Sequence, residues 1–109
     1  MTDREARIAK NESITREINE GIEESMASMS PEGYVRMLCE CGRSGCERVL
    51  AISLAEYEEA RRDGDRFVIV KEHLIPDVED IVEEKDRFVV VRKREGTPAA
   101  VAEATDPRD

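Results

Sequence analysis

Cys39-Glu40-Cys41-Gly42-Arg43-Ser44-Gly45-Cys46 places three thiols within eight residues. On one side lies Tyr34-Val35-Arg36-Met37-Leu38 and on the other Arg48-Val49-Leu50-Ala51-Ile52, both rich in the β-branched and aromatic residues that favour strands. Two such runs joined through glycine-bearing turn chemistry predict a β-hairpin with the cysteines at its tip. A chain that wraps so tightly must turn its backbone N–H groups toward the sulfurs, and Gly42 and Gly45 permit that path.

An odd number of cysteines cannot form a complete set of internal disulfides. The opening residues Met1-Thr2-Asp3-Arg4-Glu5 contain no apolar block, which predicts a cytoplasmic protein in a reducing compartment. Metal binding then leads. Three thiolates and one imidazole complete a tetrahedral zinc shell, and the chain's single histidine, His73, stands just beyond the strand-like run Phe67-Val68-Ile69-Val70. The expected ligands of a structural Zn2+ are therefore Cys39, Cys41, Cys46 and His73. Two other readings fit the same residues: three packed thiols beside a solvated histidine, and a thiol-based redox sensor that releases zinc on oxidation, with Arg43 and Arg48 nearby to lower thiol pKa values. The spacing matches none of the usual iron–sulfur patterns.

The motif C-x-C-G-x3-C, carried by Cys39, Cys41, Gly42 and Cys46, resembles the zinc-binding post-SET segment of lysine methyltransferases, whose fourth cysteine comes from elsewhere in the enzyme. With 109 residues there is no room for a methyltransferase domain, so the likeness is local, and His73 takes the distant ligand's place.

Upstream, residues 4–29 read as one amphipathic helix. At about 100° per residue, Ile8, Ile14, Ile18, Ile22, Met26 and Met29 fall within an arc of roughly 120°. Such a stripe predicts burial, either against its own domain or through self-association or a protein partner using Ile8, Ile14, Ile18, Ile22 and Met26. Asn11 within the arc is a candidate register-setting polar residue, and Gly21 weakens an isolated helix by roughly 1 kcal/mol. Ser30-Pro31-Glu32-Gly33 is a turn signal that divides residues 1–30 from a metal-bearing domain at 31–94.

Downstream, Ser53-Leu54-Ala55-Glu56 is a capping box opening a helix to about Arg62, with Leu54, Tyr57 and Ala60 inward and Asp63-Gly64-Asp65 as its stop. A strand follows at Phe67–Val70. Pro76 then predicts a short helix from Asp77 to Glu84, its inner face Val78, Ile81 and Val82 and its acids turned to solvent. The last strand is read at Arg87–Lys93, with Arg92-Lys93-Arg94 as a solvated strand end. Residues 95–109 lack a sustained stripe and are expected to be a flexible tail. The fold expected is α+β: an N-terminal amphipathic helix, then one small, mostly antiparallel sheet with two short helices and a zinc-pinned hairpin.

The composition narrows the function. With 17 basic against 26 acidic residues the net charge is −9, and no segment is basic, which argues against a phosphate-binding footprint and hence against nucleic acid. The longest apolar runs are four residues, far short of the roughly 20 needed to span a bilayer. A Gly-rich phosphate loop, a Ser-centred nucleophile elbow and a second histidine are all missing. A zinc ion held by four protein ligands has no open position for water. The expectation is a non-catalytic interaction or regulatory module, with a redox sensor as one alternative and an acidic mimic of nucleic acid as another.

Taken together, Asn11-Glu12, Arg16-Glu17-Ile18-Asn19-Glu20, Cys39-Glu40-Cys41-Gly42, Cys46, Ser53-Leu54, Glu56-Tyr57-Glu58, Arg66-Phe67, His73, Pro76 and Val78-Glu79 resemble a family of small, acidic, uncharacterised actinobacterial proteins. The likeness runs without gaps over residues 11–92 and returns at Thr105-Asp106-Pro107-Arg108. This chain departs from the family pattern at Thr15, where an aromatic is usual, at Gly64, where a proline commonly follows Asp, and at Glu72, where glycine often precedes the histidine. The four expected ligands are untouched by these departures, and the resemblance implies no particular activity.

Overall fold

The hairpin forms as its composition dictates. β1 (Tyr34–Leu38) and β2 (Val49–Ser53) pair antiparallel from Tyr34↔Ser53 to Leu38↔Val49, and their alternation turns Val35, Met37, Leu50 and Ile52 into the core. The structure is a computed structural model describing residues 3–28, 30, 32–43, 45–94 and 97–108. Met29 of the expected stripe, Pro31 of the expected turn, Ser44 of the cysteine stretch, and residues 95, 96 and 109 lie outside the described residues.

Ser53 ends β2 and at once caps α2 (Leu54–Ala60): its hydroxyl accepts from the Glu56 N–H (3.1 Å) and Glu56 Oε1 accepts from the Ser53 N–H (2.9 Å), the reciprocal box the sequence announces. Leu54, Tyr57 and Ala60 face inward as expected. β3 (Arg66–Ile69) then runs antiparallel to β5 (Val89–Lys93), which also pairs with β4 (Glu79–Glu84), giving the order β3-β5-β4.

The single sheet expected is thus two sheets. Beyond Leu38 the chain is diverted into the cysteine loop, so the backbone pairing between that loop and β3 is the Glu40 N–H bonded to Val68 O (2.8 Å) rather than a continuous ladder. The three-stranded sheet is buried on both faces. Val68 and Val90, with Phe88, pack against the hairpin and α2, whereas Phe67, Ile69, Val89 and Val91 pack with Cys39, Cys41 and Ala102.

Residues 77–84, expected as a helix, form a turn and then β4. The inward positions Glu79, Ile81 and Glu83 alternate with exposed Asp80, Val82 and Glu84. Glu79 is the acid that does not face water: it lies directly across from Lys93 in the ladder, and the two are joined at 2.6 Å. Lys93 is accordingly 2% exposed rather than part of a solvated strand end.

The 95–109 segment, expected as a tail, contains helix α3 (Thr97–Ala104). Ala102 is buried, and the buried Arg61 guanidinium grips Asp106. Arg108 bridges Glu20 (2.8 Å), Glu23 (2.9 Å) and Glu58 (2.8 Å) on two other helices.

The N-terminal helix α1 (Asp3–Ser25) folds back onto its own domain, but the middle of its isoleucine stripe takes no part. Its buried residues are Glu12, Arg16 and Asn19, while Ile14 and Ile18 remain 47% and 46% exposed. Each inward polar group has a distant partner. Glu12 contacts Lys93. Arg16 donates to Gly64 O (2.7 Å) and Ala102 O (2.6 Å) while lying over the Phe67 ring at 4.4 Å. Ile22 packs on the core, and Ile8 packs against the cysteine loop.

Candidate metal centre

The loop between β1 and β2 and the end of β3 meet at one point. Cys39, Cys41 and Cys46 come from the hairpin tip, and His73 from a single 3-10 turn (Lys71–His73) directly after β3. Their four ligand atoms all lie within 4.8 Å of one another, close enough to hold a metal ion. The chain's single histidine therefore does reach the hairpin, as the sequence requires of it.

The geometry can be tested against a metal. The His73 Nδ1 atom is 3.3 Å from Cys41 Sγ, 3.3 Å from Cys46 Sγ and 3.8 Å from Cys39 Sγ. A tetrahedral ion with bonds of about 2.3 Å to sulfur and about 2.0–2.1 Å to nitrogen gives S···N edges of about 3.6 Å. The measured edges bracket that value, so the donor set fits a tetrahedral ion bound through Nδ1.

The backbone supports the sulfurs. Val70 N–H donates to Cys39 Sγ at 3.2 Å. The backbone N–H groups two residues on also pull the thiol pKa values downward, that of Cys41 acting on Cys39, Arg43 on Cys41 and Arg48 on Cys46. Such bonds stabilise thiolate over thiol. A hydrogen bond from Cys39 pushes the Cys41 thiol down to about 5, helped by the Arg43 N–H, Cys46 and His73. Donation to Cys41, together with burial, holds the Cys39 proton on, and burial raises Cys46. Cys41 is thus the thiol most readily deprotonated, and binding a cation through all three sulfurs requires the thiols to give up their protons.

Glu40, between two of the ligands, is fully buried and anchors the loop to the rest of the molecule. Its carboxylate accepts from Val68 N–H (3.0 Å), Asn19 Nδ2 (2.9 Å) and the Tyr57 hydroxyl (2.8 Å). Burial raises its pKa, and these three donors oppose the rise. Asn19 also pairs with both backbone groups of Leu38, accepting from its N–H and donating to its carbonyl at 2.8 Å each, as a neighbouring strand would.

Asn11 donates to Gly42 O (3.1 Å), so its polar group docks α1 on the loop of its own chain. A Cβ on Gly42 would stand 2.3 Å from Ile8 Cγ2 and 2.9 Å from Ile8 Cα, so close helix approach is what demands glycine there. Gly45 serves the turn itself, at φ +73°. Sequence reasoning names the four residues that meet here but not Asn11, Asn19, Glu40 or Tyr57 as their supports, because nothing local marks a polar residue whose partner is distant in the chain.

Among the described residues no other group of three or more His, Cys, Asp or Glu could hold a metal ion, and no helix is long and apolar enough to cross a membrane. Comparison with family models, curated proteins and solved structures gives no match to the chain.

Proposed function

We propose that Cys39, Cys41, Cys46 and His73 hold a structural zinc ion, and that the protein is a small, cytoplasmic, non-catalytic interaction or regulatory module. The observation that carries this reading is the set of S···N edges of 3.3, 3.3 and 3.8 Å about one histidine nitrogen. Soft thiolates with one imidazole suit zinc, and four protein donors leave no coordination position for substrate or water. The ion ties the hairpin tip to the end of β3, a role in folding rather than chemistry.

The interaction role is supported by Ile14, Ile18 and Met26, the part of the expected stripe that the fold leaves exposed. An acidic mimic of nucleic acid is less well supported, because Glu12, Glu20, Glu23, Glu56, Glu58, Glu79 and Asp106 are engaged by the chain's own Lys93, Arg61, Arg87 and Arg108.

Replacement by cobalt(II) tests the coordination. One cobalt per chain is expected, with the intense visible absorption of a tetrahedral ion and a sulfur-to-metal charge-transfer band that disappears on adding zinc. A weak octahedral spectrum that zinc leaves unchanged would refute the four-ligand site.

A further inference from the structure

We infer that Cys46 is the point at which a peroxide enters this site, and that its oxidation, completed by Cys41, releases the metal; the inference rests on the zinc reading above. The three sulfurs are not equally placed. Cys39 is 1% exposed and its sulfur is held by the Val70 N–H at 3.2 Å. Cys46 is half-buried, and a surface pocket of about 130 Å³ lined by Asn11, Ile14, Thr15, Arg43, Gly45, Cys41 and Cys46 brings solvent to that side of the cluster. Cys46 is thus the sulfur that solvent reaches, Cys41 lines the same pocket while itself 2% exposed, and Cys39 does not line it.

The chemistry follows from that asymmetry. The Cys46 thiolate attacks one peroxide oxygen; an S–O bond forms, the O–O bond breaks and hydroxide leaves, giving a sulfenic acid. The Cys41 thiolate then attacks the Cys46 sulfur, forming the S–S bond and expelling a second hydroxide. Each sulfur gives up one electron, the peroxide takes both, and the two hydroxides take protons from solvent. The metal is left with Cys39 and His73 and departs.

Cys41 is the resolving thiol because it lines the same pocket as Cys46, whereas Cys39 does not and its sulfur is held by the Val70 N–H at 3.2 Å. A Cys39–Cys41 disulfide would close around Glu40 alone, and Glu40 is fixed to Val68 by Glu40 N–H to Val68 O (2.8 Å) and Val68 N–H to Glu40 Oε1 (3.0 Å). Joining Cys41 to Cys46 instead closes a loop containing Gly42 and Gly45, the second already at positive φ.

The test uses the zinc-loaded full chain titrated with hydrogen peroxide. Zinc is followed with a chromogenic chelator, and disulfides are mapped by alkylation and peptide mass spectrometry on the wild type, so that no variant need fold. Release of one zinc per chain in step with a Cys41–Cys46 disulfide is expected, reversed by a dithiol with added zinc. Zinc retained until all three cysteines are over-oxidised, or a first disulfide through Cys39, would overturn this inference alone. A reduced chain that takes up no zinc would overturn the structural-zinc reading and this one with it.

Discussion

Stripping the metal with a strong chelator under reducing conditions is expected to abolish the cooperative thermal unfolding transition, not merely to lower its midpoint. Domains of this size are stable by roughly 0.05–0.15 kcal/mol per residue, whereas structural zinc contributes an apparent 10–16 kcal/mol or so in finger peptides at neutral pH. The architecture makes the metal hard to replace. Cys39 and Cys41 belong to the cluster that covers Phe67, Ile69, Val89 and Val91, so a loop that loses its ion uncovers one face of the three-stranded sheet. That same loop docks α1 through Gly42 and Leu38. Cys41→Ser should reproduce the effect, since it removes one of the three sulfur donors at a buried position. His73→Ala should be milder, because three thiolates and a water still make four ligands. Circular dichroism melts of the three samples check this ranking; a chelated protein that melts as sharply and as high as the loaded one would refute it.

The second large effect is expected at Lys93, far along the chain from the cysteines. Its ammonium bonds Glu79 at 2.6 Å and contacts Glu12, and the three side chains are 5% exposed or less. Lys93→Met takes from two buried carboxylates the cation they share, a change that typically costs about 3–5 kcal/mol. The loss should shrink as pH falls and the acids take up protons.

The wild type already carries a sign of this strain, because burial pushes Glu12 from the ordinary 4.5 up to about 7 despite Lys93. A raised carboxyl pKa means that the folded state binds more protons between those two values. Its contribution to stability is therefore fully present below about 4.5 and falls away as pH rises through about 7, by at most about 3 kcal/mol. Glu12→Gln keeps an oxygen acceptor for Lys93 and removes the titration. The variant should match the wild type near pH 5 and exceed it in urea melts at pH 8. Subtracting the two pH profiles cancels the acid loss of the metal, which both proteins share. A variant less stable than wild type at pH 8 would show that the Glu12 charge is favourable where it sits.

How much was legible in the sequence depends on how local each signal is. The hairpin, the capping box and β3 rest on neighbours within a few residues, and the structure keeps all three. The meeting of Cys39, Cys41, Cys46 and His73 is legible because thiols are scarce and the chain has one histidine.

β4 was misread because Val78, Ile81 and Val82 mimic helical spacing, while the inward residue that marks it as a strand is Glu79, whose partner Lys93 lies across the sheet. The same blindness hid the packing of α1. Its isoleucines make the apparent stripe, yet the buried line is Glu12, Arg16 and Asn19, each satisfied by Lys93, by the Gly64 and Ala102 carbonyls, or by Leu38 and Glu40. Helix α3 escapes the sequence because its short, alanine-rich pattern has little amphipathic signal; the segment's attachment comes from Arg16, Arg61 and Arg108. In each case a charged or amide side chain occupies a core-facing position that periodicity assigns to apolar residues.

Native mass spectrometry of the protein purified without added metal, beside Cys41→Ser and His73→Ala, tests the four-ligand site most directly. One zinc per wild-type chain, lost from or weakly held by both variants, is the predicted result. A folded wild-type chain that flies metal-free with three free thiols would contradict it.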